Sequence, residues 1–341
     1  MSWTSPRIAV AVAFLAAALL SAPAWAAEDA VVREAKKEGK VMWYTSIGLP
    51  DAQALCNKFN AKKLGVECIV HRDGSGKIYQ RYLQEAKGNI YVGDVLHTSN
   101  AGHFLNLQEK HLLKYNPRGI EKFDPKFVNK DGRWHILRAG VTMPFYNTKK
   151  ISAADAPKSH KDILNPKWKD RLVHSHPSYS AFVTNSMVHI VRLYGEDYYK
   201  KLAALKPKVV QSAIASIPLV SRGEADLGSG TTSYTLFQNI KKGEPLKPIF
   251  AEEGMALVTS PNGILTKAPH PNAAKVFADF LFSQEAQQLL ADRFLYVGHP
   301  DVKYPEGMPA PKDLKLKVLD PEEVKKMNKP IQEMFRKYFG V

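Results

Sequence analysis

Two long extended segments constrain this chain more than any other feature. Trp134–Tyr146 and Met255–Thr266 are apolar, lack helical periodicity, and lie far apart in the sequence. Between them, Ser159–Glu253 alternates short apolar strands with helical stretches. Before them the same alternation runs from Lys40 to Gln108: strand Lys40–Tyr44, helix Asp51–Lys62, strand Val66–His71, a helix after Asp73, and strand Val95–Leu96. After them comes an amphipathic helix, Asn272–Phe282, with Ala274, Phe277, Ala278 and Leu281 on one stripe. Strands alternating with helices imply an α/β protein with a largely parallel sheet. A middle unit bracketed by two extended segments implies two lobes joined by two chain crossings. The expected division is residues 27–139 with 267–341 as the first lobe and 140–266, hinge strands included, as the second. In the second lobe, strands are expected at Leu172–His174, Val209–Ala213 and Ala225–Ser229.

The N-terminus sets the compartment. Arg7 precedes a continuous apolar run from Ile8 to Leu20, and a small-residue end follows with Ala24 and Ala26. That is a secretory signal, with cleavage expected after Ala26 and export to the periplasm. The apolar run is short of the roughly 20 residues that span a bilayer. About 315 residues then remain, comfortable for two lobes. The net charge falls from +15 to +14 with the loss of Arg7. Such a surface steers anions, but much of the charge is in dispersed lysines, and no basic stripe interleaved with aromatics points to nucleic acid.

Cys56 and Cys68 are the two cysteines of the chain. Export places them where disulfides form. Cys56 falls in a helical pattern and Cys68 in a strand pattern, so a bridge and two separately buried thiols both fit the sequence.

In α/β sheets ligands sit beyond the strand ends, where helix N-termini present free N–H groups and favour anions. Four such places are rich in hydroxyls and glycine: Tyr44, Thr45 and Ser46; Gly74, Ser75 and Gly76; Ser178, Tyr179 and Ser180; and Thr231, Thr232 and Tyr234. Thr98 and Ser99 form a fifth. Ser75 is expected to cap its helix, and Trp43, Tyr44, Tyr179 and Tyr234 to stack on an organic moiety. No Lys-Ser/Thr ending makes Gly74–Gly76 a nucleotide loop. His174 and His176 lack further ligands at zinc spacing. No Gly-x-Ser-x-Gly elbow is present, so a secreted hydrolase is the alternative of a different class, and no cofactor, catalytic group or metal site is expected.

The chain resembles the periplasmic substrate-binding proteins of ABC importers, in the subgroup first known for ferric-iron carriers. The resemblance rests on the order of Val41-Met-Trp-Tyr-Thr-Ser46, Phe59-Asn-Ala-Lys-Lys-Leu-Gly-Val66, Gly93-Asp-Val95, Gly140-Val-Thr-Met-Pro-Phe-Tyr-Asn147, Val220-Ser-Arg-Gly-Glu-Ala-Asp226 and Ala273–Ala291. It implies a monomeric two-lobed clamp that closes on a small solute and delivers it to a membrane permease and its ATPase. Iron carriers of this family hold the metal through two adjacent tyrosines, often with His or Glu from the first loop. Here Ser233 precedes Tyr234, and the first loop has neither His nor Glu. The implied cargo is therefore a small anion (phosphonate, sugar phosphate or carboxylate), with ferric iron as the alternative.

Overall fold

The computed structural model describes residues 24–341, so most of the export signal lies outside the described residues. Helix α1 (Ala24–Glu38) leads into β1 (Lys40–Thr45), α2 (Leu49–Asn60), β2 (Glu67–Arg72), α3 (Ser75–Lys87), β3 (Val95–His97) and α4 (Ala101–His111). The long β4 (His135–Asn147) follows, then β5 (Leu172–Ser175), α5 (Ala181–Tyr194), α6 (Asp197–Ala204), β6 (Lys208–Val210) and α7 (Ser216–Ser221). Next come β7 (Leu227–Thr232), α8 (Ser233–Lys241), β8 (Leu246–Pro248) and β9 (Met255–Ile264). The chain ends with α9 (Pro271–Leu281), α10 (Gln284–Ala291), β10 (Leu316–Val318) and α11 (Pro321–Phe339).

The strands order as β2-β1-β3-β9-β4-β7-β5-β6, with β10 beside β9 and β8 beside β4. β1 pairs in parallel with β2 and β3, and β5 in parallel with β6 and β7. The two parallel groups meet through β4 and β9, which run antiparallel: His135–Val141 of β4 pairs with β9, while Thr142–Tyr146 turns to β7. These paired strands are the two crossings of a two-lobed α/β fold. All thirteen residues of β4 are buried, which explains its mostly apolar sequence.

α9 and α10 return to the first lobe, α9 against α1 and β1 and α10 against α2. Phe277 is fully buried and meets Trp43 and Phe59 edge-on, a burial contributing roughly 1.5–3 kcal/mol. The last helix departs from the expected assignment of 267–341 to the first lobe. α11 buries Ile331, Met334 and Phe335 in a cluster with Val183 and Met187 of α5 and Tyr198 and Leu202 of α6. Its apolar stripe fits the face of the second lobe that the sheet leaves open. α11 starts at Asp320, which caps Glu322 N–H, and stops at Gly340 in the left-handed region.

Two strand boundaries also differ. Gln211 onward bends away from β6, and Ala213 begins a short turn into α7. β7 runs from Leu227 to Thr232, beyond the expected end at Ser229. Glycine is depleted from strands in general. Here it leaves room for a ring, because a Cβ on Gly228 would stand 2.1 Å from Phe145. The structure joins Cys56 of α2 to Cys68 of β2, with Cα atoms 5.3 Å apart. Helix and strand are adjacent in the chain and pack together, so the bridge ties a local unit.

Candidate solute-binding cleft

The loops at the C-terminal ends of β1, β2, β3, β5 and β7 open onto one cleft of about 810 Å³ between the lobes. The N-termini of α3, α4, α5 and α8 also face it, through Ser75 and Gly76, Gly102, Ala181, and Tyr234. Four helix starts and their free N–H groups give the cleft a positive bias without any side-chain charge.

One floor of the cleft is a hydroxyl cluster. The backbone N–H of Ser99 donates to Ser46 Oγ and to Ser75 Oγ, each at 3.1 Å. Ser75 is thus the first residue of α3 rather than its cap, a position held by Gly74. Arg138, on the β4 crossing, donates through Nη2 to Ser99 Oγ at 3.1 Å. Its side chain is 2% exposed, and its Nε and Nη1 meet no protein acceptor. Burial pulls its pKa down, against the opposing pull of Tyr234 and Asp51. A guanidinium this buried is held without a carboxylate bonded to it, a costly arrangement unless an anion completes it.

Of the residues expected from the sequence, Ser46, Gly74, Ser75, Gly76, Ser99, Ser178, Tyr179, Ser180, Thr232 and Tyr234 line the cleft. Tyr44, Thr45, Thr98 and Thr231 do not. Thr45 Oγ1 bonds His97 Nδ1 at 2.8 Å, and Thr98 Oγ1 donates to the Asn100 carbonyl at 3.3 Å. Thr231 Oγ1 donates to the Ala213 carbonyl at 2.6 Å. Tyr44 donates to Glu85 at 2.7 Å, and burial together with that carboxylate raises its pKa to about 12. Trp43 is core, its indole N–H donating to Asn262. All five are fully buried: β1 is covered on both faces, so consecutive residues Trp43, Tyr44 and Thr45 are enclosed whichever side they take, and Thr98 and Thr231 turn to backbone acceptors inside the fold.

Arg138 is the residue that sequence reasoning passed over. Its signal was available: a lone arginine in an apolar segment that must be buried. Arg72, Lys77, Asn100, His103, Asn185 and Lys325 line the cleft as well. His103 is held neutral by burial, which lowers its pKa to about 4. Asp73 is the lining carboxylate, and Lys77 faces it at 3.8 Å. His174 is buried among Tyr199, Phe335 and Phe339. Among the described residues no group of three or more His, Cys, Asp or Glu is placed to hold a metal ion. Ser233 is buried, its Oγ accepting from the Val141 N–H at 3.1 Å.

A two-lobed α/β chain with hydroxyls and helix starts gathered at an interlobe cleft has the build of a solute-binding protein. The chain belongs to the bacterial extracellular solute-binding protein family, whose model matches residues 93–327. The major ferric iron-binding protein of Neisseria gonorrhoeae is 28% identical over 310 residues, covering 87% of this chain and 88% of the relative. Iron-bound HitA from Pseudomonas aeruginosa superposes with a TM-score of 0.77 at 21% identity, over 89% of this chain and 99% of HitA. The periplasmic binding protein AfuA from Actinobacillus pleuropneumoniae, solved with fructose-6-phosphate, gives 0.74 at 21% identity, over 89% and 99%. At that identity the structures establish the fold. The family consists of binding proteins.

Proposed function

We propose that this chain is a periplasmic solute-binding protein of an ABC importer that captures a small oxyanion, a phosphonate, sugar phosphate or carboxylate, by lobe closure. The observation that carries this reading is Arg138, a buried cation with two N–H directions unspent at the floor of the cleft. An oxyanion there gains charge-assisted bonds from the guanidinium and from Ser46, Ser75 and Ser99, while helix starts of the second lobe reach its far side. Contacts from both lobes shift the population toward the closed form, and no bond-making step is needed. A permease and its ATPase are the partners that receive the solute. The signal is removed after Ala26, which the intact mass of the exported protein checks.

Ferric iron is the second reading, favoured by the iron-binding relatives and by Tyr179, Tyr234 and Asp73 in the cleft. A thermal-shift series separates the two. The arms are inorganic phosphate, phenylphosphonate, fructose 6-phosphate, citrate and ferric nitrilotriacetate, each against native protein and Arg138→Met. An oxyanion at a hundred times its Kd stabilises the native protein by about 2.7 kcal/mol and the variant by less than about 1 kcal/mol. Stabilisation by the ferric complex alone, equal in both proteins, overturns the oxyanion reading.

A further inference from the structure

The C-terminal helix occupies an unusual place. α11 is fixed to the second lobe by Ile331, Met334 and Phe335, by the Phe335 ring 4.7 Å from that of His176, and by Glu323 against Arg192 at 2.8 Å. Another face of the helix does something else. Val324, Lys325, Asn328 and Gln332 form a wall of the cleft, and Lys325 Nζ donates to Asn106 Oδ1 of α4 at 2.8 Å. α4 belongs to the first lobe, where Phe104 and Leu107 are buried in the large core. At its start Gly102 lies beside α11, where a Cβ would meet Lys325 Cβ at an ordinary contact distance of 3.9 Å. Asn106 is held for this contact, its amide donating to Tyr79 of α3 at 3.3 Å. The family match stops at residue 327, so Asn328, Gln332 and the apolar anchors Ile331, Met334 and Phe335 lie beyond it.

We propose that α11 is a clasp across the cleft, rooted on the second lobe and fastened to the first by the Lys325–Asn106 bond. The proposal rests on the reading that the lobes open and close around a solute. Opening separates α11 from α4, so the bond exists only in the closed form and raises its population. Apparent affinity for any cleft solute then scales with that population, and Lys325 acts as a positioning residue through Asn106.

The experiment uses the full mature protein and two readouts. Small-angle scattering without solute reports lobe opening whatever the cargo is. Lys325→Ala and Asn106→Ala should each increase the radius of gyration by the same amount, and the double variant by no more. Asn106→Asp, which converts the contact to an ion pair, should decrease it. Titration with inorganic phosphate should show affinity falling about two- to tenfold in either alanine variant, through faster release. Equal scattering in the native protein and all four variants overturns the clasp. So does a loss of affinity in Lys325→Ala without one in Asn106→Ala, since that makes Lys325 a direct solute contact. If phosphate does not bind the native protein, the oxyanion reading suffers while the scattering still decides the clasp.

Discussion

Arg138 Nη2 donates to Ser99 Oγ at 3.1 Å, which ties the buried guanidinium of the β4 crossing to the loop after β3. The link joins a strand shared by both lobes to the place where three serines converge. It aligns the cation with the hydroxyls while leaving Nε and Nη1 unspent.

Replacing Arg138 by methionine should separate binding from folding. Substituting a buried, incompletely paired charge by an apolar side chain of similar length is neutral or stabilising by about 1–4 kcal/mol. The apo melting temperature of Arg138→Met should therefore hold or rise, while affinity for the oxyanion falls by about 2–5 kcal/mol. Melting curves with and without phosphate check both halves. A variant that melts lower and binds normally makes Arg138 a structural residue.

Ser75 and Thr232 face the cleft from opposite lobes. Ser75 Oγ already accepts from the Ser99 N–H, and Thr232 Oγ1 donates to Thr235 Oγ1 at 3.0 Å. Either residue changed to alanine should weaken oxyanion binding by about 1–3 kcal/mol. Apo stability should fall by about 1 kcal/mol at most for Thr232→Ala, whose hydroxyl partner stays close to solvent. Isothermal titration beside urea unfolding tests this. Unchanged affinity in both variants reduces the pair to local structure.

Stability should fall on acidification through a defined window. Burial holds His135 to about 4 and His174 to about 3, against an ordinary value of 6.5. Above 6.5 both histidines are neutral in folded and unfolded chains, and they contribute no slope. Below it the unfolded chain takes up protons that the folded protein refuses until its own lower pKa is reached. Each histidine then lowers stability by about 1.4 kcal/mol per pH unit across that interval. Urea midpoints at pH 7.5 and pH 5 measure the fall. His135→Gln, which keeps an acceptor for the Asn129 N–H, should shrink it; an undiminished fall assigns the effect elsewhere.

The two crossings were legible because a strand buried on both sides needs a long, mostly apolar segment without helical periodicity, and such segments are rare. Loops after β1, β2 and β5 were legible because turn residues follow each strand. The far end of β7 was not, since Gly230 and the hydroxyls after it read as a loop until Thr231 and Thr232 are seen to pair with Met143 and Thr142. Thr45 and Thr231 were misplaced for a related reason: a strand's last residues alternate sides, and one position decides whether a hydroxyl meets solute or backbone. Arg138 was legible as a lone arginine in a segment that must be buried, but the sequence does not record which of its N–H groups lack a partner. α11 escaped because an amphipathic stripe shows that a helix packs but not against which lobe.

The ferric reading turns on Tyr234 and its neighbour. Ser233 stands where the resemblance places the first tyrosine of an iron-holding pair. Its hydroxyl is buried and committed to the Val141 backbone, fixing the start of α8 to the crossing. A hydroxyl so placed neither ionises like a phenol nor turns toward the cleft. Tyr179 is the other tyrosine lining the cleft; it is 61% exposed, on a separate loop of the second lobe. Ferric ion bound by tyrosinate gives an intense visible charge-transfer band. With ferric nitrilotriacetate the native protein should therefore stay colourless after gel filtration. A one-to-one coloured complex overturns this expectation. If that colour is lost in both Tyr179→Phe and Tyr234→Phe but kept in Arg138→Met, iron is the cargo and the two tyrosines hold it without an adjacent partner.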